Sequence, residues 1–181
     1  RAIKIKRGSM IEKLPHIHID FALRLLPPAN GEIPYDRIRK LLYLLRENGT
    51  NLMFVTADRF QSVDMLQTLQ RNGFMTGPVS MDRTTAPYEY LKSAIYDGRV
   101  SIPEHVKLRE ELISLEIDEK ANKVDHPPGG SKDLTDALAG VVYGLSRRRE
   151  VWDQHRVDPY QVAPRFIAEA RRLAQTSEER F

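Results

Sequence analysis

The chain has 181 residues, 41% of them hydrophobic and 29% charged, with no cysteine and a formal net charge of +3. This length suits one ordinary domain, or one domain plus an appendage. Without cysteine the chain has no disulfide framework, no thiolate metal site and no thiol nucleophile. No apolar run approaches the ~20 residues that span a bilayer, and the N-terminus lacks the apolar core of a signal peptide. We therefore expect a soluble, cytoplasmic protein that does not enter the membrane.

Positive charge is concentrated at the two ends of the chain. Residues 1–13 carry five basic and one acidic side chain, and residues 147–181 carry eight basic and six acidic ones. The body between them, 14–146, carries 15 basic and 18 acidic side chains and is acidic overall. The sequence thus divides into a basic N-terminal segment (1–15), a central domain (16–146) and a polar, helical C-terminal tail. Any positive surface must be local or supplied by the ends.

The first half of the central domain alternates strand and helix patterns. Residues 16–26 alternate apolar and polar side chains, which predicts a strand. A helical apolar stripe then begins after Pro34 and ends before Asn48, which is followed by glycine. Residues 51–57 form a short apolar run typical of a strand buried on both faces. Asp58 comes directly after this run.

The second half continues the same alternation. We predict helices over 61–72, 87–97, 106–116, 134–145 and 164–175, and short strands within 74–80, 99–102 and 123–125. Alternating strands and helices are typical of an α/β fold.

Asp58 is the first candidate functional residue. It lies at the carboxyl end of a predicted central strand, and in open α/β sheets this end faces the usual ligand crevice. Gln61 follows three residues later, so Asp58 also fits the N-cap of a capping box. Both interpretations remain open from local sequence alone.

Asp133 and Asp136 are the second candidate. Three residues apart on one helix, they share a face and can hold a cation together. Both also lie in the first helical turn, where negative charge is favoured and where Ser131 or Asp133 can serve as the cap. Asp136 borders the apolar stripe, and a carboxylate at a buried edge needs a partner, for which a divalent metal is one choice.

The remaining motifs limit the classes of reaction that the chain can catalyse. His126 can assist a site near Asp133 or can simply be a loop residue. The chain contains neither a GxxxxGK[ST] phosphate loop nor a GxSxG nucleophile turn. Carboxylates on separate elements instead indicate phosphoryl hydrolysis assisted by two Mg²⁺ or Mn²⁺ ions. The order of elements resembles the ribonuclease H-like nuclease fold, a mixed sheet flanked by helices.

A more specific resemblance covers residues 16–145. These residues resemble the nuclease domain of phage terminase large subunits. The segments that carry the resemblance are Phe54-Val55-Thr56-Ala57-Asp58-Arg59-Phe60-Gln61-Ser62, Gln67-Thr68-Leu69, Gly73-Phe74, Ser80-Met81-Asp82-Arg83, Pro87-Tyr88 and His126-Pro127-Pro128-Gly129-Gly130-Ser131-Lys132-Asp133-Leu134-Thr135-Asp136-Ala137-Leu138-Ala139-Gly140. The last of these is the most specific, because many residue types match in order around a helix start.

The resemblance implies an endonuclease of a viral DNA-packaging motor, working in the cytoplasm of the host of a phage or prophage. It cuts double-stranded DNA with two metal ions and acts with a small terminase subunit, a portal and a motor ATPase. Asp58 and Asp136 match the second and last catalytic carboxylates of the family, with Asp133 as an additional metal ligand. The acid of the family's first strand has no match, and Asp20, on a later strand, is more readily structural than a ligand.

The missing first-strand acid leads us to expect a domain that lacks its first strand and cleaves weakly or not at all. Two alternatives therefore stay open. One is another ribonuclease H-like nuclease, such as a Holliday-junction resolvase. The other is a non-catalytic remnant that docks on DNA or the portal. In the tail, Arg147, Arg148 and Arg149 either contact DNA phosphates or form a solvated helix end.

Overall fold

A computed structural model describes residues 2–58, 62–81, 83–118 and 120–147. The described residues contain five helices: α1 (Tyr35–Glu47), α2 (Val63–Arg71), α3 (Ala86–Tyr96), α4 (Val106–Ser114) and α5 (Asp133–Ser146). The strands of the same ranges are β1 (Ala2–Arg7), β2 (Met10–Pro15), β3 (Ile17–His18), β4 (Val55–Ala57), β5 (Thr76–Pro78), β6 (Val100–Ser101), β7 (Glu116–Asp118) and β8 (Lys123–Asp125). The mixed α/β composition predicted from the sequence is confirmed.

The described strands pair two by two. β1–β2 and β7–β8 are antiparallel hairpins, whereas β3–β6 and β4–β5 are parallel pairs whose strands are separated by helices along the chain. Parallel pairing requires such crossovers and is typical of α/β proteins. Within the described ranges the strands do not join into one sheet, so the ribonuclease H-like sheet remains a prediction.

Two compact units make up the described chain. The first unit contains the residues up to Leu25 and those from Ser80 onward, and the second contains Leu26–Val79. The first unit contains β1, β2, β3, α3, β6, α4, β7, β8 and α5. α1, β4, α2 and β5 belong to the second. The tail beyond Arg147, including the helix predicted over 164–175, lies outside the described residues.

The first unit is built around α5. This helix packs along α3 and against α4, and it also contacts β2. The apolar face predicted for this helix is buried only in part: Leu134, Leu138 and Val142 are buried, whereas Ala137, Val141 and Leu145 are exposed. The core of the unit also includes Leu91, Leu108 and Ala139. Burial of large aliphatic side chains stabilises such a unit by about 1.5–3 kcal/mol for each one.

The second unit has a smaller core between α1, α2 and the β4–β5 pair. Met65, Leu69 and Phe74 are buried, and Leu42 and Val55 are among the partly buried residues packed against them. The run 51–57 was expected to be buried on both faces, but its residues are at most half-buried and only Val55–Ala57 form a strand. The strand is short because β5 pairs with β4 over three residues.

The strand predicted over 16–26 is also shorter than expected. Only Ile17 and His18 pair, in parallel with β6. A regular strand needs a neighbour for its backbone groups, and β6 itself has two residues. None of the helices in the described ranges has the length and hydrophobicity needed to cross a membrane.

Candidate functional site

Asp58 follows the carboxyl end of β4 and is exposed. It is not the N-cap of the next helix: Ser62 holds that position, and α2 begins at Val63. The Ser62 hydroxyl donates a hydrogen bond back to the Asp58 carbonyl oxygen. The start of α2 therefore gives no support to the capping interpretation of Asp58.

The first turn of α5 holds the other two candidate aspartates. Asp133 is the first helical residue and is exposed, whereas Asp136 is half-buried. The Lys132 ammonium lies 2.9 Å from Asp136 Oδ2 and 3.1 Å from Oδ1, and the Tyr88 hydroxyl donates to Oδ1. The sequence predicted that Asp136 needs a partner, and the chain itself supplies one.

Lys132, the partner of Asp136 in this ion pair, is itself buried, and its side chain is only 11% exposed. An ammonium group leaves water at a large cost unless it is paired and hydrogen-bonded. The i,i+4 spacing of Lys132 and Asp136 brings the two charges together on one side of the helix start. The structure thus holds one positive charge against both oxygens of Asp136.

The N-terminus of α5 is capped from another helix. Its N-cap residue is Lys132, which makes no side-chain cap, so neither Ser131 nor Asp133 has the capping role considered for it. Glu111 on α4, only 1% exposed, accepts hydrogen bonds from the backbone N–H groups of Leu134 and Thr135 at 3.0 and 3.1 Å. It also accepts from the hydroxyls of Ser131 and Thr135.

These contacts make Glu111 a cap contributed by tertiary structure. A carboxylate at a helix N-terminus meets both the unsatisfied N–H groups and the positive end of the helix dipole. Because α4 and α5 are joined through this buried group, Glu111 fixes the position of the helix turn that carries Asp136.

The loop before α5 is ordered by its own polar contacts. His126 Nδ1 lies 2.9 Å from the Pro127 carbonyl oxygen, and the His126 backbone N–H donates to Asp125. A hydrogen bond from the Lys123 ammonium, followed in size by that from His126, lowers the pKa of Asp125 to about 2. Gly129 has φ +80°, the left-handed region that suits glycine. His126 thus lies in the loop before α5, and a part for it in a site near Asp133 stays a prediction.

The remaining candidates are Asp20 and the three arginines that follow α5. Asp20 is 84% exposed and lies 3.8 Å from His18 Nε2. Arg147 donates to the Tyr143 hydroxyl at 2.8 Å and lies over its ring. Arg148 and Arg149 lie outside the described residues.

Within the described ranges, no three histidine or acidic side chains come together in a group that could hold a metal ion. The donor chemistry nevertheless fits a hard cation, since the candidates are carboxylates. At Asp136, both carboxylate oxygens are paired with the Lys132 ammonium.

Comparison of the chain with protein-family models, with curated proteins and with solved structures finds no match.

Sequence reasoning missed three side chains around α5: Tyr88, Glu111 and Lys132. Lys132 stands four residues before Asp136, a spacing that was readable as an ion pair. Tyr88 lies inside one of the segments that carry the family resemblance. Glu111 gave no local signal, because its partners follow it by 20–24 residues.

Proposed function

We propose that this chain is a metal-dependent endonuclease domain of a viral DNA-packaging terminase large subunit, with a ribonuclease H-like architecture. The observation that carries the proposal is the position of Asp136, a half-buried carboxylate in the first turn of α5 that accepts a hydrogen bond from Tyr88. The family resemblance assigns a catalytic acid to this position. Asp58, exposed after a parallel strand, stands where α/β proteins place ligand-binding groups.

The chain's own residues have distinct parts in this proposal. Asp58 and Asp136 would hold Mg²⁺ or Mn²⁺, with Asp133 as a further carboxylate. Two such ions, when bound, activate water and stabilise the leaving oxygen of a phosphodiester. Lys132 keeps Asp136 charge-balanced before a metal binds, and Glu111 and Tyr88 hold the carboxylate in position. The small terminase subunit, portal and motor ATPase belong to the proposal as partners, and the host cytoplasm as its place.

Plasmid nicking in Mn²⁺ tests this function. Because the first-strand acid of the family has no match in the chain, we expect weak nicking by the wild type. Asp58→Asn and Asp136→Asn should reduce it further by more than about 100-fold, beyond the loss typical for residues outside the ligand shell. Asp64→Asn is the matched control, since Asp64 is 82% exposed on α2 and carries the same charge. If both variants nick DNA at the wild-type rate, Asp58 and Asp136 are not catalytic residues.

A non-catalytic DNA-docking role is the second candidate. The Lys132 ion pair favours it, because Asp136 has a partner in the chain and needs no metal for stability. Mn²⁺ binding, followed by isothermal calorimetry, separates the two. A catalytic site binds Mn²⁺ and loses it in Asp136→Asn, whereas a docking remnant binds DNA with or without Mn²⁺ and never nicks it.

A further inference from the structure

The β1–β2 hairpin is a two-stranded ribbon whose two faces differ. Its strands pair in antiparallel register from Ala2 opposite Pro15 to Arg7 opposite Met10. Side chains alternate between the faces of a strand, and directly opposite residues share a face. One face is half-buried over much of its length and the other is exposed.

The inner face holds the hairpin in place. It carries the half-buried side chains Ile3, Ile5 and Leu14, and β2 contacts α5. At the turn, Arg7 Nη2 lies 2.8 Å from Asp97 Oδ2 at the end of α3, and Arg7 Nε lies 3.2 Å from Glu12. The ion pairs with Arg99 and Arg7 also lower the pKa of Asp97, so it stays charged. The hairpin is therefore anchored through one face.

The outer face concentrates positive charge. Lys4, Lys6 and Lys13 are all exposed on it, and the face has no acidic side chain. Lys4 stands directly opposite Lys13, an arrangement of like charges that destabilises a strand pair. Within the described part of the chain, no ion pair involves any of these three lysines.

We propose that the lysine face of this hairpin, formed by Lys4, Lys6 and Lys13, binds the phosphate backbone of double-stranded DNA. This inference rests on the proposed function for the choice of DNA as the polyanion. It adds a contact surface that lies away from Asp58 and Asp136 in the sequence and that does not involve the arginines of the tail.

Charge and shape both favour a duplex. The body of the chain is acidic, so a long polyanion is attracted locally at the hairpin rather than over the whole surface. A two-stranded ribbon fits the major groove of B-DNA. Lys4 and Lys6 are two residues apart on one strand, about 7 Å, and Lys13 lies across the ribbon at about 5 Å. Duplex DNA offers several phosphates over this span.

Fluorescence anisotropy with a labelled 30-base-pair duplex in EDTA tests the proposal without cleavage. The variant is K4Q/K6Q/K13Q, and the matched control K40Q/K92Q/K107Q removes three exposed or half-exposed charges on α1, α3 and α4. Each lysine–phosphate contact contributes about 0.9 to the slope of log affinity against log salt. We therefore expect the slope of the hairpin variant to be smaller in magnitude by about 2–3 than that of the wild type. Its affinity at about 50 mM salt should be about 100-fold lower.

The control should keep the wild-type slope, and K4R/K6R/K13R should retain binding because it keeps the charge. Urea midpoints of the glutamine variants show whether the fold persists; loss of the Lys4–Lys13 repulsion favours the folded hairpin. Equal slopes for wild type and hairpin variant overturn the proposal. So does a wild-type chain that fails to bind the duplex, or lysine-dependent binding to vesicles with 25% phosphatidylglycerol in place of DNA.

The nuclease proposal is judged separately. If the chain neither nicks DNA nor binds Mn²⁺, and the hairpin variant still loses slope, the catalytic function is contradicted and the DNA surface is supported. If nicking depends on metal and is lost in Asp136→Asn, while the hairpin variant keeps the wild-type slope, only the proposed DNA contact of the lysine face is contradicted.

Discussion

At the scale of single residues, Glu111 joins α4 to the start of α5. Its buried carboxylate receives four hydrogen bonds around the start of α5. Glu111→Gln replaces one acceptor oxygen by an amide that faces donors, so some N–H and O–H groups lose their partners. Hydrogen bonds to a charged group contribute about 1.5–3 kcal/mol. We expect the free energy of unfolding, measured by urea titration, to fall by about this amount.

Glu110→Gln is the control for this change. Glu110 is the next residue on α4, is 59% exposed and pairs with Lys107 at 3.2 Å. Exposed pairs contribute about 0–1 kcal/mol, so this variant should unfold close to the wild-type midpoint. If Glu111→Gln and Glu110→Gln unfold at the same urea concentration, the hydrogen bonds of Glu111 to α5 do not contribute more stability than an exposed ion pair.

Asp125 gives a residue-scale prediction about pH. Its folded pKa of about 2 lies below the usual 3.8, chiefly through the Lys123 hydrogen bond. A depressed carboxyl pKa stabilises the fold above its unfolded value, and that stabilisation is lost as the pH falls from about 4 toward about 2. Lys123→Met removes the main cause, so the pKa of Asp125, followed by carboxyl ¹³C shifts, should rise toward 3.8.

Lys120→Met removes the same charge from the exposed turn between β7 and β8. It should leave the pKa of Asp125 near 2, because the effect of Lys123 is a direct hydrogen bond. A rise of equal size in both variants would point to overall charge rather than to this contact.

At the scale of elements, two glycines test the loop and helix that carry Asp136. Gly129 has φ +80°, and an L side chain in this region costs about 1–2 kcal/mol. Gly144 lies inside α5, and among the described residues no atom outside the backbone of this helix lies within 4 Å of a methyl group placed there. Gly129→Ala should therefore lower the thermal unfolding midpoint. Gly144→Ala should raise this midpoint, because alanine in a helix is more favourable than glycine by up to about 1 kcal/mol. Shifts of the same sign would contradict this account.

The elements also show which sequence patterns were informative. Helical stripes predicted all five described helices to within two residues at each end, because apolar periodicity decides which helix face is buried. The β1–β2 hairpin was not predicted, although Gly8-Ser9 between alternating segments is a hairpin signal. β7 was also missed, since its three residues are exposed and lack an apolar pattern.

At the scale of the whole molecule, each unit has its own buried core. Leu69 is fully buried in the second unit and Leu91 is 2% exposed in the first. Truncation of a buried leucine to alanine costs about 2–5 kcal/mol. We expect Leu69→Ala to speed amide hydrogen exchange mainly in α2, β4 and β5, and Leu91→Ala mainly in α3 and α5. Equal effects of both variants throughout the chain would show one cooperative unit instead.

By itself the sequence determined the α/β composition, the described helices and the need of Asp136 for a partner. These follow from local periodicity, turn chemistry and the cost of burying a charge, all of which act over a few residues. The family resemblance and the catalytic roles of Asp58 and Asp136 stay predictions.

Only the tertiary structure decided which strands pair, that Lys132 and Tyr88 hold Asp136, and that Glu111 caps α5 from another helix. Glu111 and the helix start it caps are at least 20 residues apart, and β3 finds its partner more than 80 residues along the chain. Such contacts depend on how elements pack, and no local pattern encodes that.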